Sequence, residues 1–98
     1  MSSWHNKSTD GLCEALLSLK TKDECYAFLE DVCTIKEALD ISQRLSVAKM
    51  LKQGISYNKI TKETGASAAT ISRVSKCCEF GAGGYDIVIG RCGGENND

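Results

Sequence analysis

The run Tyr57-Asn58-Lys59-Ile60-Thr61-Lys62-Glu63-Thr64-Gly65-Ala66-Ser67-Ala68-Ala69-Thr70-Ile71-Ser72-Arg73-Val74-Ser75-Lys76 holds two short helical patterns on either side of one glycine. Ser56 stands where an N-cap opens the first pattern, and Ser67 stands where one opens the second. Ile60 precedes Gly65 by five positions, and Ile71 and Val74 follow it by six and nine. Those three apolar side chains can meet and hold the helices at a steep angle, which is helix-turn-helix geometry. Gly65 supplies the positive φ that such a turn needs. Thr61 occupies the position where a small residue is expected at the close helix contact.

The second helix of the pair has the outer face of a recognition helix. Its first turn, Ser67, Ala68, Ala69 and Thr70, is small enough for close approach to base edges. Methyl groups of alanine and threonine can touch thymine methyls, hydroxyls can bond bases or phosphates, and arginine can grip guanine. Ser72, Arg73 and Lys76 fall on solvent-facing positions further along. Together with Ser56, Lys59 and Lys62 they form the candidate DNA-contacting set, with the lysines neutralising phosphates. A helical hairpin used only for packing is the alternative.

Charge separates along the chain. The net charge is −1, but residues 1–42 carry −4, residues 43–78 carry +6 and residues 79–98 carry −3. The basic segment, with Arg44, Lys49, Lys52, Lys59, Lys62, Arg73 and Lys76 against the single acid Glu63, contains the helix pair. A basic patch inside an acidic chain is a candidate polyanion footprint, or else a solvated face that balances its flanks.

Outward from this segment the periodicity stays helical. The pattern predicts a helix over about Asp10 to Lys20, with Leu12, Ala15, Leu16 and Leu19 on one face. Thr21 and Glu24 form a capping box before a second helix carrying Cys25, Phe28, Leu29 and Val32. Thr34 and Glu37 repeat the box ahead of a third helix, Ile35 to about Gln53, closed by Gly54 in the left-handed conformation. Its stripe of Ala38, Ile41, Leu45 and Ala48 is widened by Leu39, Val47, Met50 and Leu51, which implies burial on more than one side. The fourth helix runs to about Thr64 and the fifth to about Cys78. Beyond the glycine-rich segment, Tyr85 to Ile89 fits a short helix or a short strand. Residues 1–9 and the acidic 93–98 are expected to be flexible tails around one domain over residues 10–92.

Ninety-eight residues with six aromatics make one domain with a thin core, so a shared core between two chains is expected. No apolar run approaches the ~20 residues of a membrane span, and no secretory leader is visible, so a cytoplasmic protein is expected. The six cysteines, Cys13, Cys25, Cys33, Cys77, Cys78 and Cys92, show no CxxC pair, and the one histidine is His5. That pattern does not resemble a metal site, and Cys13, Cys25 and Cys33 read as small apolar packing groups. No nucleophile–base–acid set points to an enzyme. A redox role for Cys77 and Cys78, with Lys76 lowering a thiol pKa, is a minor alternative.

From Ile41 to Tyr85 the sequence resembles the Trp repressor family, and within it the smaller YerC/YecD group. The resemblance is carried by Ser56-Tyr57-Asn58-Lys59-Ile60, by Thr64 to Val74, and by Cys77 to Tyr85 with its Gly-Gly-Tyr. It implies an all-α, intertwined homodimer with helix-turn-helix units projecting outward, and a regulator of transcription reading a palindromic operator. In the repressor, tryptophan lies sandwiched between two arginines. The resemblance puts Arg73 at one and Gln43 at the other, with Arg44 adjacent. It also puts Val74 at a glycine beside the indole, and Cys77 at the serine that meets the ligand's amino group. Gln43, Arg44, Arg73 and Cys77 are therefore the candidate effector pocket, and the departures count against tryptophan as corepressor. Another small ligand, or none, is expected. The expected function is a dimeric, sequence-specific DNA-binding regulator, read as a repressor and needing no cofactor. A helical protein-interaction module is the alternative.

Overall fold

The computed structural model describes residues 4–92, and among these all regular structure is helical. Six helices follow one another: α1 (Lys7–Ser18), α2 (Lys22–Val32), α3 (Ile35–Lys52), α4 (Tyr57–Thr64), α5 (Ala68–Phe80) and α6 (Gly84–Cys92). The chain divides into two compact units, one ending at Ala38 and one beginning at Leu39.

In the first unit the helix ends are set by local hydrogen bonds. Asn6 caps α1: its side chain accepts the Thr9 amide at 2.9 Å, and Thr9 Oγ1 accepts the Asn6 amide at 2.8 Å. This reciprocal box starts α1 ahead of the expected Asp10, so residues 7–9 are helix rather than tail. Asparagine followed by threonine takes the roles that serine and glutamate usually fill, so the box lacks the usual sequence signature. Thr21 caps α2 by accepting the Glu24 amide at 3.0 Å. The return bond of that box differs from expectation, because the Glu24 carboxylate accepts the Lys20 amide at 2.8 Å. The Thr34–Glu37 box forms as expected, with both bonds in place at 3.1 and 2.8 Å. No residue of α1 or α2 is buried. Leu12, Leu16, Leu17 and Tyr26 remain substantially exposed, as do Cys13 and Cys25, which do not pack as small core groups within this chain.

The second unit holds the core. Val47 and Ala48 of α3, Ile60 of α4, Ala66 of the turn, and Ile71 and Val74 of α5 are buried and form one cluster. Met50, Leu51, Ile55, Cys78, Tyr85 and Ile89 pack around it. The meeting of Ile60, Ile71 and Val74 is the one expected from their spacing. Gly54 ends α3 with φ 77°, in the left-handed region, and Ile55 returns its amide to the Met50 carbonyl at 3.1 Å. The Tyr85–Ile89 segment lies within α6, so the open choice between helix and strand resolves to helix. Lys52 pairs with Asp86 and ties α3 to α6. That pairing holds the Lys52 ammonium above the usual lysine pKa. Residues 93–98, read as an acidic tail, lie outside the described residues.

Candidate nucleic-acid interface

The turn between α4 and α5 is built from Thr64, Gly65 and Ala66. Gly65 adopts φ 76°, and its amide donates to the Thr61 carbonyl at 2.9 Å to close α4. The Thr64 hydroxyl donates back to the Ile60 carbonyl at 2.7 Å and accepts the Ala66 amide at 3.1 Å. Ala66 then enters the core, 1% exposed. Thr61, which stands where a small residue is expected at the close helix contact, is exposed. Ala66 lies in a turn rather than on a periodic face, so a search for helical stripes does not find it.

Ser56 and Ser67 both act as N-caps. Ser56 Oγ accepts the Lys59 amide at 3.3 Å, and Ser67 Oγ accepts the Thr70 amide at 3.1 Å while donating to Thr70 Oγ1 at 3.2 Å. These three hydroxyls therefore fix the first turns of α4 and α5 before any ligand is considered. The Ser67–Thr70 bond also orients the Thr70 hydroxyl, leaving its remaining acceptor capacity available.

The outward face of α5 matches the sequence reading. Ala68, Ala69, Ser72, Arg73 and Lys76 are exposed, and Thr70 is half-buried. Lys59 and Lys62 of α4 are exposed as well. The core residues Ile71 and Val74 occupy the opposite face, so the same helix is anchored inward and presented outward. The N-terminal turns of α4 and α5, capped by Ser56 and Ser67, add partial positive charge to the lysines and Arg73.

The four candidate effector residues do not converge on one site. Arg44 and Cys77 line an open cavity of about 530 Å³, with Ile41, Leu45, Tyr85 and Val88 among its walls. Its lining is largely apolar. Within it burial pushes the Tyr85 pKa up, against the opposing pull of the Arg44 charge. Arg73 is exposed on α5 and Gln43 is half-buried, and neither lines the cavity. Gln43 Nε2 donates instead to the Thr64 carbonyl at 3.0 Å, across 21 residues of sequence. Val74, matched to a glycine in the resemblance, fills the core.

Cys78 is half-buried against the core, and burial pushes its thiol pKa up, with Lys52 opposing. The nearest lysine in sequence, Lys76, does not set its behaviour. Cys77 is exposed at the cavity wall. Among the described residues no group of histidine, cysteine, aspartate and glutamate side chains is arranged to hold a metal ion.

The helix order, the glycine turn and the α5 face can be set beside known proteins. The sequence matches the family model for the Trp repressor protein over residues 7–92. This chain belongs to the Trp repressor family. An uncharacterized protein of Bacillus subtilis (strain 168), YerC, is 49% identical over 85 residues, which span 87% of this chain and 82% of that protein. A solved TrpR-like protein from Eubacterium eligens ATCC 27750 superposes with a TM-score of 0.87 at 51% identity, covering 90% of this chain and 91% of that one. A crystal structure from Staphylococcus aureus, named as a candidate Trp repressor, superposes with the same TM-score of 0.87 at 44% identity, covering 91% and 89%. The Trp repressor family match extends beyond the helix pair to α1 and α2, where the sequence resemblance is one of arrangement. It is a regulatory family rather than an enzymatic one. No helix among the described residues is long and apolar enough to cross a membrane.

Proposed function

We propose that this protein is a dimeric, sequence-specific DNA-binding regulator of bacterial transcription that represses from a palindromic operator in the cytoplasm. The observation that carries the reading is α5 itself. Its inward side is locked by Ile71 and Val74, and its outward side offers Ala68, Ala69, Thr70, Ser72 and Arg73 with no bulky obstruction at the first turn. Ala68 and Ala69 suit close approach to a groove floor, Ser72 and Arg73 supply hydrogen-bond donors, and Lys59, Lys62 and Lys76 supply phosphate contacts. Two such heads on a symmetric dimer would sit about one helical turn of DNA apart, roughly 34 Å.

Tryptophan is not the corepressor in this reading. Three of the features the resemblance assigns to its site are committed elsewhere: Gln43 to Thr64, Val74 to the core, and Arg73 to the outer face. DNA binding is then independent of tryptophan, and Arg73 is free to act on the duplex.

Selection of bound duplexes from a random library by the purified protein, with and without L-tryptophan, tests this directly. The expected result is an enriched palindrome, the same in both conditions, lost on Arg73→Ala or Ser72→Ala. Lys59→Ala and Lys62→Ala should weaken binding evenly across sequences. With six to ten phosphate contacts, affinity should fall by about 10³–10⁵ between about 50 and about 200 mM salt. No enrichment in any condition, with a protein partner retained instead, would overturn the reading in favour of an interaction module.

A further inference from the structure

Gln43 and Val47 stand one helical turn apart on the same face of α3. Val47 is fully buried in the cluster that holds α4 and α5, and Gln43 reaches the turn between those two helices. The two contacts differ in kind. Apolar burial is non-directional and tolerates sliding, whereas a hydrogen bond fixes distance and angle. The acceptor is also a special one. The Thr64 carbonyl belongs to the last turn of α4, whose carbonyls have no partner within the helix. The same residue is held by its hydroxyl to Ile60 and to Ala66, so the turn is a rigid knot. Gln43 is the side chain that binds this knot to α3.

Resting on the reading of α5 as a DNA-recognition helix, we propose that Gln43 is a positioning residue, an internal latch that sets the angle of the helix-turn-helix on α3 without a ligand. The Gln43 carboxamide supplies the orientation. The first turn of α5, Ser67 to Thr70, begins just past the latched turn, so any rotation about it displaces Ala68 and Ala69 directly. The effect belongs to operator recognition more than to phosphate attraction, because the lysines reach phosphates over a range of tilts whereas base-edge contacts do not.

The test compares Gln43→Met, which keeps length and removes the donor, with Gln43→Glu, which keeps shape and removes the donor, and Gln43→Lys, which restores a donor. The quantity read is the ratio of affinities for the selected operator and a scrambled duplex, in which uniform charge effects cancel. The expected ratio falls about tenfold in Gln43→Met and Gln43→Glu, the factor carried by one hydrogen bond of this kind, and recovers in Gln43→Lys. A lowered unfolding midpoint with an unchanged ratio would make Gln43 merely structural and overturn the proposal, as would failure of the lysine variant to recover. If Gln43→Met does not fold, Gln43→Glu decides the same question. If the wild-type protein prefers no duplex, the DNA-binding reading fails on its own. The latch is then judged by residual dipolar couplings of α3 and α5: reorientation in Gln43→Met or Gln43→Glu sustains it, and an unchanged angle removes it.

Discussion

The unit ending at Ala38 and the unit beginning at Leu39 are both helical, yet they are held in different ways. In the first, every helix start is secured by a side-chain cap, and no residue of α1 or α2 is buried. In the second, caps at Ser56 and Ser67 are joined by a core of Val47, Ala48, Ile60, Ala66, Ile71 and Val74. Caps are worth about 1 kcal/mol each and define where a helix begins. They do not bury apolar surface, which is the main driving term of folding. The first unit is therefore a set of well-punctuated amphipathic helices whose apolar residues, Leu12, Leu16 and Leu17, still lack a covering surface in one chain. The proposed dimer supplies one.

The strongest way to break the contrast is to damage the core. Ile71→Ala should remove about 2–5 kcal/mol from the second unit, read as a lower urea midpoint. A loss under about 1 kcal/mol would mean that the cluster is not what holds this unit. The next test addresses the first unit. Leu16→Asp in an isolated helix surface should change stability by no more than about 0.5 kcal/mol. Under the dimer proposal it should instead dissociate the protein in sedimentation equilibrium and lower an unfolding midpoint that otherwise rises with protein concentration. An unchanged dimer would move the interface away from α1.

Gly65→Ala sharpens the comparison at the turn. A β-carbon there would meet nothing closer than Gln43 Nε2 at 4.0 Å, so space is available and the strain comes from φ alone. Holding alanine at φ 76° should cost about 1–2 kcal/mol, with helix content by circular dichroism retained. The smallest effect is alkaline. Cys78, Tyr85 and Lys52 all have pKa values raised in the folded chain above their usual 9.0, 10.0 and 10.5. The folded state thus keeps protons that the unfolded state releases, and stability should decline as pH rises through this range. A thermal midpoint that climbs between about pH 8 and about pH 11 would contradict these directions.

What the sequence made legible was local. Ser56, Ser67, the Thr34–Glu37 box and the left-handed Gly54 and Gly65 each act within a few residues, and each is found where its chemistry placed it. The apolar spacing of Ile60, Ile71 and Val74 was legible because the motif joins residues close in sequence. The misses are of another kind. Gln43 bonds a carbonyl 21 residues away, Arg44 of α3 meets Tyr85 of α6, and burial rather than Lys76 governs Cys78. Long-range polar contacts leave no periodic trace, and a backbone acceptor has no side-chain identity to read. The resemblance to the family located the neighbourhood of Gln43 but assigned it a ligand in place of a carbonyl.

The distribution of the core has a consequence for how the chain is made. Translation releases the N-terminus first, at about 5–20 residues per second. The half that leaves the ribosome earliest is then the half with no buried residue in α1 or α2, while the residues that condense into a cluster, Val47 to Val74, emerge only afterwards and lie close together in sequence. Short loops close quickly, so this cluster should condense as soon as α5 is free. For several seconds before that, the nascent chain displays its apolar stripe to solvent.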